Sequence, residues 1–308
     1  MSEDPIADHL DLHYSDEQEA LGESVRGFAA RETDPALLWK GLAGLGVLGL
    51  ATPEGGGGVL EIAAATEALG GAGAPGPIAG TFMATQLVGD VDRGRLASGD
   101  AIASVGTPPL LPWAAVADVF VELAGDDAWL ARPAGQVEPV DTMAGEPWGR
   151  VALERVEPLG SARRAVIVGD VAVAAYLVGA ASHLVAVTAQ WLADRVQFGR
   201  PIGEFQSLSH PLADVRIRVT AARSLTRSAA HAADTGGDTA AASPAATARL
   251  SATRAALDAT YRAHQSFGAL GFTIEGPVAQ LGQRIRQISL HPPGPRAARE
   301  AALAAHGL

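Results

Sequence analysis

The sequence predicts a mostly helical α+β chain, with helices at both ends and a small β segment between them. Three observations predict it. Of the 308 residues, 48% are hydrophobic but only 5% aromatic. The apolar content is therefore mainly Ala, Val and Leu, which suits helices packed closely on short side chains. Apolar residues recur at helical spacing over roughly the first ninety positions and again from about 161 onward. Short β-like runs punctuated by Pro and Gly fill the interval.

The elements follow in order. Ser15 and Gln18 form a capping box, ahead of Leu21, Val25, Phe28 and Ala29 at helical spacing. Residues 37–50 read as a second helix interrupted by glycines, PEGGGG at 53–58 as a flexible turn, and 59–69 and 78–87 as two further helices. The β-like runs are 101–106, 118–123, 128–132 and 150–156. A long apolar helix spans 162–195 and a second covers about 207–233. A loop at 234–243 precedes a helix start at Ser243-Pro244, giving helices over about 245–266 and 277–289, the last stopped by HPPGP. The expected units are a helical domain at 1–97, a reduced β domain at 98–158 and a C-terminal four-helix bundle at 159–308. The long helix is apolar around most of its circumference, which predicts burial against other subunits.

Composition excludes several function classes. The net charge is −11, which argues against nucleic acid or an anionic membrane as the main partner. There is no cysteine, so disulfides, thiol catalysis and thiolate metal sites are excluded, and no metal site is expected. The acidic start MSEDPIADHL lacks the apolar core of a signal peptide. No uninterrupted apolar run is long enough to predict a membrane span. These features predict a cytoplasmic protein.

The most informative stretch is DRVQFGRPIGEFQSLSHPLAD at 194–214. Arg195 offers a guanidinium fork that matches phosphate oxygens. Gly199 removes a side chain where a backbone must come close to a ligand. Phe198 and Phe205 can cover an apolar ring. A second stretch, Gln265 to Glu275, carries Gly268, Ala269 and Gly271, whose turn offers donors to phosphate. The structural alternative is that Arg195 and Gln206 cap helices and pair with carboxylates.

These two stretches resemble the acyl-CoA dehydrogenase family. Its pattern R-x-Q-F-G-x-P-[IL]-x-x-F-Q is matched by Arg195, Gln197, Phe198, Gly199, Pro201, Ile202, Phe205 and Gln206, followed by Leu212, Ala213 and Asp214. Its pattern Q-x-x-G-G-x-G-[FY]-T-x-E is matched by Gln265, Gly268, Gly271, Phe272, Thr273 and Glu275, with Ala269 replacing the middle glycine. The resemblance implies FAD as cofactor, bound by Arg195, Gln197, Phe198, Gly199, Ile202, Phe205, Gln206, Gln265, Gly268 and Ala269. It also implies that these groups hold the adenine–diphosphate half of an FAD whose flavin ring sits mainly in a neighbouring subunit. An acyl-CoA thioester is the implied substrate and an electron-transfer acceptor the implied redox partner.

Two departures from the family pattern stand out. The β segment lacks the T-E-P and G-S-D segments that hold flavin and substrate; Thr107-Pro108 is a remnant. The two places from which the family delivers its catalytic Glu fall on Gly169 and near Pro292. Asp170 is the nearest acid and the one candidate base. The resemblance thus implies a degenerate subunit of the heterotetrameric, steroid-catabolic kind, working with a full-length partner in an α2β2 assembly. A homo-oligomeric dehydrogenase using Asp170 and a non-enzymatic scaffold are the alternatives. His183, His210 and Glu275 read as packing, interface or turn residues. TPEGGGGV lacks both the preceding strand and the following Lys of a phosphate loop.

Overall fold

In the computed structural model, residues 12–273 and 275–304 are described. The Ser15–Gln18 box opens α1 (Asp16–Ala29): the serine hydroxyl accepts from the Gln18 amide and the glutamine side chain accepts from the Ser15 amide. Asp34 caps α2 (Pro35–Gly44), whose first residue is the proline. The predicted helix 37–50 is cut short. Gly46 takes φ +76° and the chain continues as a 3-10 turn at Val47–Gly49. Next come α3 (Val59–Ala72), α4 (Ile78–Thr85) and α5 (Asp90–Ala97). The sequence reading missed α5 because it is short and polar and buries only Leu96. The N-terminus of α3 is capped from far away: Asp234 accepts from the amides of Val59 and Leu60 at 2.8 and 3.0 Å. A protein carboxylate thus sits where the glycine-rich turn superficially resembled a phosphate loop.

Seven strands lie between Ala103 and Ser161. They are β1 (Ala103–Gly106), β2 (Leu110–Leu111), β3 (Val119–Ala124), β4 (Asp127–Pro133), β5 (Glu138–Val140), β6 (Trp148–Arg150) and β7 (Leu153–Ser161). One sheet runs β1-β3-β4-β7, with β1 parallel to β3 and the other pairs antiparallel. A second, smaller sheet runs β2-β6-β5. The predicted runs at 101–106, 118–123 and 128–132 fall on β1, β3 and β4. The run at 150–156 divides between the end of β6 and the start of β7, and Val151 between them is buried.

The C-terminal part holds α6 (Arg163–Asp194), a hairpin of β8 (Val196–Gln197) and β9 (Arg200–Pro201), α7 (Gln206–Thr235), α8 (Gly237–Phe267), α9 (Ala279–Ile288) and α10 (Gly294–Ala304). The predicted loop at 234–243 is largely helical. α8 begins at Gly237 and carries Pro244 inside it. Pro244 removes a donor, but Ala241, Ala245, Ala246 and Ala248 around it are buried, and that packing holds the turn. HPPGP does stop α9, yet the chain turns helical again at Gly294.

α6 is the axis of the core. It packs against α3, α4, α7 and α8 of its own chain. By length and composition it could cross a membrane, but 89% of its most apolar window is buried inside the protein. The expectation that its apolar circumference requires another subunit is therefore corrected: neighbours in the same chain cover Val168, Val171, Val173, Tyr176, Leu177 and Leu184. The α3–α6 crossing depends on glycine. A Cβ at Gly70 would run into the Tyr176 backbone, and one at Gly179 into the Glu67 carbonyl and the Gly71 amide. Because those obstacles are backbone, they cannot give way as a side chain would. Gly179→Val should therefore destabilise by about 1–3 kcal/mol or more, read as a lower urea midpoint at unchanged m-value.

Candidate cofactor site and the base positions

α6 ends at Asp194, and Arg195 follows it with an extended backbone whose amide bonds the Trp191 carbonyl. The Arg195 guanidinium lies 5.2 Å over the Trp191 ring. No carboxylate of the described residues pairs with it, so its fork is open to an anion. The hairpin turn holds Phe198 at φ +53° and Gly199 at φ +81°. Phe198 is 93% exposed and meets Phe205 edge-on at 6.1 Å. An exposed phenylalanine in a left-handed conformation is costly in isolation, and among the described residues only the edge contact with Phe205 is recorded for its ring. Nothing lies within 4 Å of a Cβ built on Gly199, so the backbone there is open to approach. Gln197 and Gln206 are exposed, and the Gln197 amide donates to the Val196 carbonyl at 2.6 Å. Ile202 differs from the rest. It is 8% exposed and packs with Leu192 and Leu212, so it supports the hairpin from below and presents no surface to a ligand.

The second stretch sits at the end of α8. Gln265 is exposed and accepts from Arg262 at 3.1 Å. Gly268 takes φ +61° and begins a 3-10 turn, Gly268–Phe272, which also holds Ala269; both residues are exposed. Trp191 joins the two stretches. Its ring stacks on Phe267 at 4.8 Å and its indole N–H donates to the Ser266 carbonyl at 3.1 Å. The sequence reading missed Trp191. The available signal was a tryptophan one helical turn before Arg195.

At the two positions where the resemblance expects a base, neither residue is acidic. A Cβ on Gly169 would fall 2.6 Å from the Met83 side chain of α4. A Cβ on Gly106, at the end of β1, would fall 2.7 Å from Pro292. Met83 and Pro292 thus occupy the space that the two glycines leave. Asp170 is 3% exposed and its Oδ1 accepts from Arg249 at 2.7 Å. Burial pushes the Asp170 carboxyl above its ordinary value, against the pull of the Arg249 charge and hydrogen bond. Arg249, with no exposed surface, also donates to the carbonyls of His291 and Pro292. Beside it, Glu146 is buried and accepts from three side chains: Trp148 at 2.8 Å, Gln287 at 3.1 Å and His291 at 2.8 Å. Burial alone would raise the Glu146 carboxyl, but His291 and these hydrogen bonds outweigh it and hold it below its ordinary value. His183 is on the surface of α6, and burial by its neighbours lowers it. His210 and Glu275 are exposed.

A family model described as "Acyl-CoA dehydrogenase, C-terminal domain" matches residues 160–291. Acyl-CoA dehydrogenase IpdE2 of Mycobacterium tuberculosis is 30% identical over 291 residues, covering 84% of this chain and 88% of that protein. The chain belongs to the acyl-CoA dehydrogenase family. Among solved structures, a variant of the Tcur3481-Tcur3483 steroid ACAD superposes with a TM-score of 0.80 at 24% identity, covering 94% of this chain and 97% of that one. The FAD complex of PigA superposes with a TM-score of 0.82 at 21% identity, covering 97% and 100%. These structural likenesses establish that the acyl-CoA dehydrogenase fold, mostly helical with a small β region, is the fold of this chain. The family placement agrees with the Arg195 and Gln265 stretches on which the resemblance rested.

Two measurements check this geometry. Asp170→Asn leaves the Arg249 guanidinium buried without its counter-charge, which should cost about 3–5 kcal/mol, read from urea unfolding. Glu146 is depressed in the folded state. Its contribution is therefore fully present above the ordinary glutamate value of about 4.3 and is lost as pH falls through the lower folded value. Glu146→Gln should accordingly flatten the fall of stability with pH below that point.

Proposed function

We propose that this family member is the non-catalytic subunit of a hetero-oligomeric dehydrogenase. Its role is to hold the adenine–diphosphate half of an FAD that serves a partner chain. The observation that carries the reading is the absence of an acid at both expected base positions, with Gly169 packed against Met83. Gly169 and Pro292 supply no acid, and a side chain on Gly169 would run into Met83. Asp170 is bound to Arg249 and buried, which weighs against a homo-oligomer that uses it as base. The division into units at 1–97, 98–158 and 159–308 belongs to this proposal.

The residues fit a dinucleotide. Arg195 has an unpaired fork for the diphosphate, and charge-assisted bonds of this kind are the strong ones. The backbones of Gly199 and Gly268 are left open. Gln197, Gln206 and Gln265 add exposed amides. Phe198 and Phe205 give a ring surface for the adenosine part, Ala269 adds a small exposed residue in the second stretch, and Ile202 acts only through the hairpin. Held there, FAD would supply the hydride acceptor for oxidation of an acyl thioester at its β carbon. This chain orients the cofactor and shields one end of it, while the α proton is taken by a base of the partner. The likeness to the Tcur3481-Tcur3483 steroid ACAD supports a steroid-derived CoA thioester as substrate. The electrons then pass to an electron-transfer acceptor.

The test has two parts. The chain purified alone should show no visible flavin absorbance and no dehydrogenation of CoA thioesters. In the isolated complex, Arg195→Ala should lose about 1.5–3 kcal/mol of phosphate contact, roughly one to two decades in FAD affinity, with the fold intact by circular dichroism. Flavin-loaded, active protein from this chain alone would overturn the reading. So would full flavin occupancy of the Arg195→Ala complex after dialysis.

A further inference from the structure

A cavity of about 510 Å³ lies between the start of α6, the start of α8 and the last helix, α10. Its walls are short. Ala242 and Ala246 come from α8, and Ala298 and Ala301 from α10. Alanine at these places leaves room that a longer apolar side chain would close. Cavities of this size, apolar with few polar groups, are the common form of small-molecule sites.

The polar side chains of the lining are Asp126, Arg163, Thr239 and Asp170; the first three are exposed at its outer side and Asp170 alone of the four is buried. Arg249 engages its Oδ1. Among the described residues, no hydrogen bond engages Oδ2. Oδ2 is not sealed from solvent, so it remains open to a ligand that can donate to it. The cavity is distinct from the two expected base positions. Gly169 faces Met83, and Asp170 lies one residue on, about 100° around the helix. Pro292 packs on Gly106, while Pro293 lines the cavity.

We propose that this cavity binds a compact apolar alcohol, with the hydroxyl donating to Oδ2 of Asp170 and the hydrocarbon body against the alanine walls. Charge selects the alcohol. Arg249 already balances the carboxylate, so an ammonium ligand would bring a buried charge without a counter-ion. A carboxylic acid anion would meet Asp170 with like charge. A ketone of the same shape would set an acceptor against an acceptor. At the outer lining Asp126 and Arg163 carry opposite charges, so the mouth favours neither ion. This inference stands independently of the FAD reading, because it concerns a different cavity and is read by direct binding.

The test uses the full chain, calorimetric titration and three probes of one shape: 2-decalol, 2-decalone and 2-decalamine. The alcohol should bind at least about tenfold more tightly than the ketone, the size expected for a hydrogen bond to a charged group. Substitution at Asp170 disturbs the fold, so the location is checked from the far wall. Ala301 is exposed on α10, and Ala301→Phe should weaken alcohol binding at least about tenfold at unchanged thermal midpoint. No binding of the alcohol, equal binding of alcohol and ketone, tighter binding of the amine, or indifference to Ala301→Phe would each overturn the proposal.

Discussion

A guanidinium with no exposed surface constrains the whole C-terminal half of this protein. Arg249 projects from the middle of α8 into the core, where its two terminal nitrogens are answered and its Nε has no hydrogen-bond partner among the described residues. Asp170 answers from α6, and the carbonyls of His291 and Pro292 answer from the turn after α9. Three segments far apart in sequence are thereby fixed to one point. The turn is held a second time through His291, Glu146, Trp148 and Gln287, which ties it to the small sheet. A buried pair of this kind is not evidence of great stability, because its desolvation offsets most of its attraction. Its consequence is specificity of position.

The crowding at Gly106 goes with that position. With the turn pinned, Pro292 presses on the end of β1, where only glycine leaves room. On the other side Met83 fills the gap beside Gly169. Side chains of the chain itself therefore crowd both glycines. At the far end of α6 the pattern reverses. Around Arg195 the chain leaves a cation, a phenylalanine ring and two glycine backbones uncovered. One end of the helix is packed and the other stays open.

Much of this was legible in the sequence, and the legible parts share a property. The Ser15 box, the long helix at 162–195, the strands near 101–106 and 118–123 and the Arg195 stretch are all local. Each is set by residues within a turn or two of one another. The misses are long-range. Pro244 reads as a helix start, yet buried alanines on both sides carry the helix through it. Ile202 belongs to a ligand-binding pattern, yet Leu192 and Leu212 bury it. The apolar circumference of α6 reads as a subunit interface, yet α3 and α8 of the same chain cover it.

The sequence by itself determined the order of helices and strands, the family and the residues of the open end. Periodicity, capping and contiguous motifs are written in adjacent positions. Only the tertiary structure decided what Asp170 does. Nothing near it in sequence announces that Arg249, 79 residues on, will take its Oδ1. Nor does the sequence show that Trp191 joins the two open stretches, or that Glu146 gathers three donors. A buried charge is defined by what surrounds it, and the surroundings of a core residue are assembled from distant parts of the chain.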